Sequence, residues 1–155
     1  MPAWEPSQTA TGESLALPTW YYGHEPSTPF ATHIAKYFQN SIREDGLITL
    51  AAHGIVFASG KAVTLQEIFQ DSVRNFYRDG VPFSPMVFLG KTYWEETLPA
   101  ASLLRALFKN AKREQEYTVN VLITDDENAA VDFIVSKAPP DHAHLERLRS
   151  LGMIA

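Results

Sequence analysis

The stretch Gly54–Tyr77, G-I-V-F-A-S-G-K-A-V-T-L-Q-E-I-F-Q-D-S-V-R-N-F-Y, constrains the fold more than any other part of the chain. Gly54-Ile55-Val56-Phe57 is an apolar, β-prone run without alternation, as in a strand covered on both faces. Ala58-Ser59-Gly60-Lys61-Ala62 is a small-residue turn. Thr64 with Glu67 in the third position after it reads as a capping box, the hydroxyl accepting a helix N–H and the carboxylate reaching back to the cap. From there Leu65, Ile68, Phe69, Val73, Phe76 and Tyr77 recur at helical spacing, and Asp79-Gly80 supplies the stop. A strand that feeds a helix through such a turn gathers backbone N–H groups and the positive end of the helix dipole at one point, the geometry that holds a phosphate. Most such turns in α/β proteins bind nothing, so the local pattern leaves a phosphate site and a plain connection both open.

The rest of the chain alternates in the same way. Residues 1–29 carry Pro2, Pro6, Pro18, Pro26 and Pro29 and read as an extended segment with one strand over Leu17–Tyr22 and a turn at Gly23–Pro26. Trp20, Tyr21 and Tyr22 there fit packing better than a base-stacking platform. Residues 30–155 read as the α/β body of what is a single domain by length. Phe30–Asp45 has the spacing of a helix capped by Thr28, with Phe30, Ile34, Tyr37, Phe38 and Ile42 on one side and Lys36, Asn40 and Arg43 on another. That second face is either solvated or presents a cation towards the turn after Phe57. Leu47–Ala52 continues as a short helical piece. Pro85–Gly90 is the next buried strand, Tyr93–Asn110 a helix interrupted at Pro99, Lys109–Glu116 a charged connection, and Tyr117–Ile123 a further strand. A second Thr/Glu box, Thr124 and Glu127, opens the following helix, and Asp125 and Asp126 beside it suit caps better than metal ligands. Pro139-Pro140 precedes a terminal helix to Leu151, where His142 and His144 point differently and make a poor metal pair. The order predicts an α/β fold, a Rossmann-like parallel sheet of about four strands with flanking helices and right-handed crossovers. Ligands of such sheets sit at the carboxyl ends of strands, where Gly60 and Thr64 fall.

Composition narrows the function. The 155 residues carry a net charge of −5 with no basic cluster, which argues against binding nucleic acid through its phosphates. There is no cysteine, so disulfides, thiolate catalysis and Cys-ligated zinc are out. No apolar run approaches a membrane span, and the start lacks the basic and apolar regions of a signal peptide, so a cytoplasmic location is expected.

At Ser59-Gly60-Lys61-Ala62-Val63-Thr64-Leu65-Gln66-Glu67 the chain resembles the P-G-G-x-G-T-x-x-E signature of the LOG-type nucleoside 5'-monophosphate phosphoribohydrolases, a family formerly called lysine decarboxylases. The resemblance runs from about Pro18 to Val135 and is nearest to the longer bacterial nucleotide 5'-monophosphate nucleosidase branch. Gly60, Thr64 and Glu67 match the motif; Ser59 stands for Pro, and Lys61 and Val63 for Gly. A glycine in such a loop supplies positive φ or lets backbone approach the ligand, which Val63 does poorly, while Lys61 adds a cation. The family's upstream Arg falls at Arg43. The resemblance implies Arg43 and Glu67 as catalytic residues, Ser59, Gly60, Lys61 and Thr64 as the phosphate-binding group, and neither cofactor nor metal. It further implies a nucleoside monophosphate ligand and a homodimer, for which an exposed sheet edge is a natural seam. Two readings of the residues compete with it: Glu67 as a cap alone, and Glu67 with Asp71, one turn on, as a paired carboxylate face. The family's earlier strands and glycine-containing first turn have no counterpart before Trp20, so the domain is expected to be incomplete. The alternative to an active hydrolase is a catalytically inactive nucleotide-binding or dimerisation remnant.

Overall fold

Three short parallel strands hold the larger part of the molecule together. In the computed structural model, which describes residues 12–20, 27–78, 82–150 and 152, β3 (Ile55–Phe57), β4 (Met86–Leu89) and β5 (Val121–Thr124) lie side by side in that order. Ile55 pairs with Met86 and Phe57 with Phe88, while Met86 pairs with Val121 and Leu89 with Thr124. The central strand M-V-F-L is buried on both faces, which is why it reads as an unbroken apolar run. The protein is thus an α/β protein of small parallel sheets with flanking helices.

The chain divides into two compact units, Met1–Leu47 and Ile48–Ala155. In the first, β1 (Leu15–Ala16) runs parallel to β2 (His33–Ile34), and the pairing continues to a bridge between Thr19 and Tyr37. Ser14 and Thr32 lock its start reciprocally: the Ser14 N–H donates to Thr32 Oγ1 at 2.7 Å, and that hydroxyl donates to Ser14 O at 2.8 Å. The helix expected over Phe30–Asp45 is therefore corrected: its first ten residues are not helical and include β2, and α1 spans Asn40–Leu50. Phe30, Ile34 and Phe38 have helical spacing, but they are 74, 59 and 78% exposed, so no core rewards coiling them. Pairing of His33–Ile34 with Leu15–Ala16 takes up the backbone there instead. The strand expected over Leu17–Tyr22 is likewise displaced to Leu15–Ala16, with Tyr21, Tyr22 and the turn to Pro26 outside the described residues.

In the second unit α2 (Ala62–Tyr77) links β3 to β4, and α3 (Ala100–Asn110) with α4 (Glu114–Asn120) links β4 to β5. α2 packs beside α3, and α5 (Glu127–Lys137) packs on β4 and β5. One turn of π-helix, Tyr93–Thr97, and Pro99 precede α3, as the interruption at Pro99 predicted. Trp94, Phe88, Phe108, Ile68 and Met86 are wholly buried; Phe88 meets Trp94 edge-on at 5.6 Å, and the partly buried Phe76 meets Phe108 edge-on at 5.3 Å.

Two sequence expectations change here. Residues 114–120 form α4, where a charged connection and the beginning of a strand were expected. Tyr117 is buried there and its hydroxyl donates to Ala101 O at 2.7 Å, an anchor to α3 that a strand at this position would lose. Arg113 and Arg78 converge on Glu116 at 2.8 and 2.5 Å, which turns the charged run into a tie between α2 and α4. The second Thr/Glu box is replaced by an aspartate cap: Asp126 Oδ1 accepts from the N–H groups of Asn128 and Ala129 at 2.8 and 3.3 Å. Thr124 accepts from Asp126 N, bending the chain into that cap. The last helix, α6, spans Asp141–Ser150, and the side chains of His142 and His144 lie outside the described residues. The expected stop at Asp79-Gly80 also lies outside them, α2 ending at Tyr77.

Candidate functional site

The carboxyl ends of β3, β4 and β5 form one edge, and the sequence places the turn after Phe57 on it. α2 opens earlier than the Thr64–Glu67 box implied, at Ala62, with Lys61 as its N-cap and no side-chain capping bond. Thr64 is the third helical residue and Glu67 lies on the second turn, so neither performs the capping-box role. The Thr64 side chain lies against Gly60 instead. A Cβ on Gly60 would stand 2.6 Å from Thr64 Cβ and closer still to Thr64 Oγ1. The Thr64 side chain is thus folded over Gly60, and only a residue without Cβ fits beneath it.

Val63 is half-buried in the first turn of α2. Among the described residues positive φ occurs at Lys112, Gly54, Gly90 and Gly152, none of them in the turn. The conformational freedom for which a glycine would be needed at position 63 is therefore not called on. Ser59 and Lys61 are exposed, so the lysine ammonium reaches solvent beside the opening of α2.

The turn is braced from the π-helical segment that follows β4. Tyr93 donates its hydroxyl to Gly60 O, and Trp94 Nε1 donates to Phe57 O at 3.2 Å and Leu89 O at 3.1 Å. Gly90 adopts φ +105°, and a Cβ there would come within 3.4 Å of Ser59 Oγ. Gly90 N bonds Thr124 O at 2.8 Å, and Lys91 N bonds Asp125 Oδ1 at 2.8 Å. Three loops are thereby fixed to one another. Because the peptide is planar and trans, tying the Gly60 carbonyl to Tyr93 turns the Lys61 N–H the opposite way. Gly90, Lys91, Tyr93 and Trp94 were missed as site residues in the sequence. The signal was available: Gly90 ends the predicted strand Pro85–Gly90 and Lys91 follows it, at the end where ligands of parallel sheets gather.

The remaining residues divide. Glu67 is half-buried on α2, and Asp71, one turn on, is wholly buried with neither carboxylate oxygen hydrogen-bonded. Burial pushes the Asp71 carboxyl up to about 7, against the opposing pull of the Arg74 guanidinium. The two carboxylates therefore do not form one solvated face. Arg43 belongs to the first unit. Its guanidinium donates to Leu17 O at 3.1 Å and lies 3.8 Å from Glu44, which also accepts from Asn40. Arg43 and Glu44 are 6 and 1% exposed, and the guanidinium ties α1 to the segment at Leu17. Arg43 lies in the first unit and Glu67 in the second. Among the described residues no three His, Cys, Asp or Glu side chains gather as a metal site would need, and no helix is long and apolar enough to cross a membrane.

No protein-family model matches the chain, and no curated protein matches it.

Proposed function

We propose that this chain is a Rossmann-like, LOG-type nucleotide-binding protein of the cytoplasm that hydrolyses the N-glycosidic bond of a nucleoside 5'-monophosphate. The products are free base and ribose 5-phosphate. The observation that carries the reading is the braced turn between β3 and α2, with Lys61 at the head of the helix and the turn's carbonyls tied back to Tyr93 and Trp94. Tied carbonyls leave the turn's amides in a fixed orientation towards an anion, and a helix of 16 residues adds its dipole. Ser59, Gly60, Lys61 and Thr64 hold the phosphate. Glu67, on the next turn of α2, holds the sugar and stabilises oxocarbenium-like charge or positions the attacking water, a task related to the carboxylate chemistry of glycoside cleavage. Arg43 grips phosphate or orients the substrate. The reaction needs neither metal nor organic cofactor, and the protein acts as a homodimer.

Two observations favour the second reading, a nucleotide-binding or dimerisation remnant without turnover. Thr64 covers Gly60, which narrows the space over the turn, and Arg43 is engaged inside the first unit by Leu17 and Glu44. Purified protein incubated with AMP, and separately with CMP, distinguishes the two. The hydrolase releases base from the parent chain and none from Glu67→Ala. The remnant binds the nucleotide in a calorimeter and releases nothing, and a chain that neither binds nor cleaves refutes both.

A further inference from the structure

We infer that the cleft between α3, α4 and β5 binds a small zwitterion, an α-amino acid with an aliphatic side chain. β5 is the outer strand of its sheet, and the crossover that leads into it runs through α3 and α4. Val121 and Ile123 lie two apart on β5 and so share a face, and both are only half-buried. With the buried Ala101 they form the apolar part of a cleft of about 450 Å³. That size falls within the roughly 300–1,000 Å³ of small-molecule sites.

Polar groups line the same cleft with bonding capacity to spare. The Lys91 ammonium, the Glu95 carboxylate and the Ser102 hydroxyl make no hydrogen bond or ion pair among the described residues. Arg105 uses its Nε, which donates to Glu114 at 3.2 Å, and the outer N–H groups of the guanidinium stay open. Glu95 shares the cleft with both cations and pairs with neither, so opposite charges line one concavity without closing on each other. The buried Tyr117 hydroxyl, bonded to Ala101 O, feels two of them at once. Burial pushes it up, the Arg105 guanidinium pulls against that rise, and the Glu95 carboxylate adds to it. Arg105 and Glu95 therefore bear on the same buried point and are not scattered surface charges.

Charge balance selects the ligand. Lys91 and Arg105 are positive, Glu95 and Glu114 negative, so the site is neutral overall but divided. A phosphate dianion would upset that balance in a chain already at −5. A plain carboxylate would meet Glu95, and a plain amine would meet Lys91 and Arg105. An α-amino acid answers both sides. Its carboxylate takes the Arg105 fork and Lys91, its ammonium takes Glu95, and its aliphatic chain lies on Val121 and Ile123. None of these residues belongs to the turn between β3 and α2, so the inference stands whether or not the chain cleaves nucleotides.

The test is an amide chemical-shift titration of the isotope-labelled full chain with L-leucine up to about 10 mM, enough to read a millimolar site. Shifts should saturate and cluster in residues 91–105 and 117–123, sparing 59–64. Isocaproate and isoamylamine, each leucine without one of its charges, should bind about tenfold more weakly or worse. Glu95→Gln should remove the preference for leucine over isocaproate, and Arg105→Gln should weaken both; each position is exposed, so the fold should persist. No saturable shift at the cleft, either half-ligand binding as tightly as leucine, or an unchanged leucine affinity in a folded variant would each overturn the assignment. If one variant fails to fold, the other decides.

Discussion

Replacing Asp71 by Asn should make the protein gain stability, relative to the parent, as the pH rises. The Asp71 side chain is wholly buried on α2, with Arg74 one turn on as its charged neighbour and no hydrogen bond to either carboxylate oxygen. Its carboxyl titrates at about 7 in the folded protein against 3.8 for the ordinary group. Between those values the folded chain keeps a proton that the unfolded chain has lost, so the folded state binds more protons and stability falls as pH rises. The loss is complete above about 7. At about 1.4 kcal/mol per pH unit, the part of the window between pH 5 and 7 is worth about 3 kcal/mol. Asparagine keeps the shape without the titration, although its buried amide costs about 1–3 kcal/mol at every pH if unpartnered. The decisive quantity is thus the change in the difference between variant and parent, measured by urea unfolding at pH 5 and pH 8. It should move in favour of Asp71→Asn by about 3 kcal/mol. A difference constant to within about 0.5 kcal/mol would mean that Asp71 is solvated or paired when folded, and the reasoning fails.

The glycines should separate by what surrounds them. Gly46→Ala, inside α1 with nothing within 4 Å of the new Cβ, should stabilise by about 0.5–1 kcal/mol, whereas Gly60→Ala should destabilise by about 1–3 kcal/mol. Thr64→Ala should not fully rescue Gly60→Ala, since position 64 keeps its Cβ, 2.6 Å from the new methyl; denaturation midpoints of the single and double variants check this. Glu116, which its hydrogen bonds to Arg113 and Arg78 hold down at about 2, contributes stability above pH 4.5 that disappears as pH falls towards about 2. With the side chain about a third exposed, Glu116→Gln should cost only about 1 kcal/mol at pH 7 and nothing near pH 2, read from unfolding curves at both.

What could be read from residues alone was whatever the larger core rewards. The strands at Ile55–Phe57 and Met86–Leu89 and the break at Pro99 follow from apolar runs and from proline chemistry, and the core uses them as written. The segment from Phe30 to Gln39 misleads because helical spacing has meaning only if one side is buried, and its large apolar side chains stay in solvent. Residues 114–120 mislead in the opposite sense, since a buried Tyr117 and the Arg113–Glu116–Arg78 tie are tertiary facts that override a β-prone run. At the candidate site the turn was located correctly. The capping box was not: the helix begins at Ala62 with Lys61 as its N-cap, and the Thr64 side chain lies against Gly60. The braces from Tyr93 and Trp94 join residues more than thirty positions apart, a separation that no local pattern encodes.

The central claim is that the braced turn serves nucleotide hydrolysis, and chromatography of AMP incubated with the purified parent chain tests it most directly. A growing adenine peak matched by ribose 5-phosphate is expected, both lost on changing Glu67 to Ala. An unchanged AMP peak with the folded parent protein would contradict it.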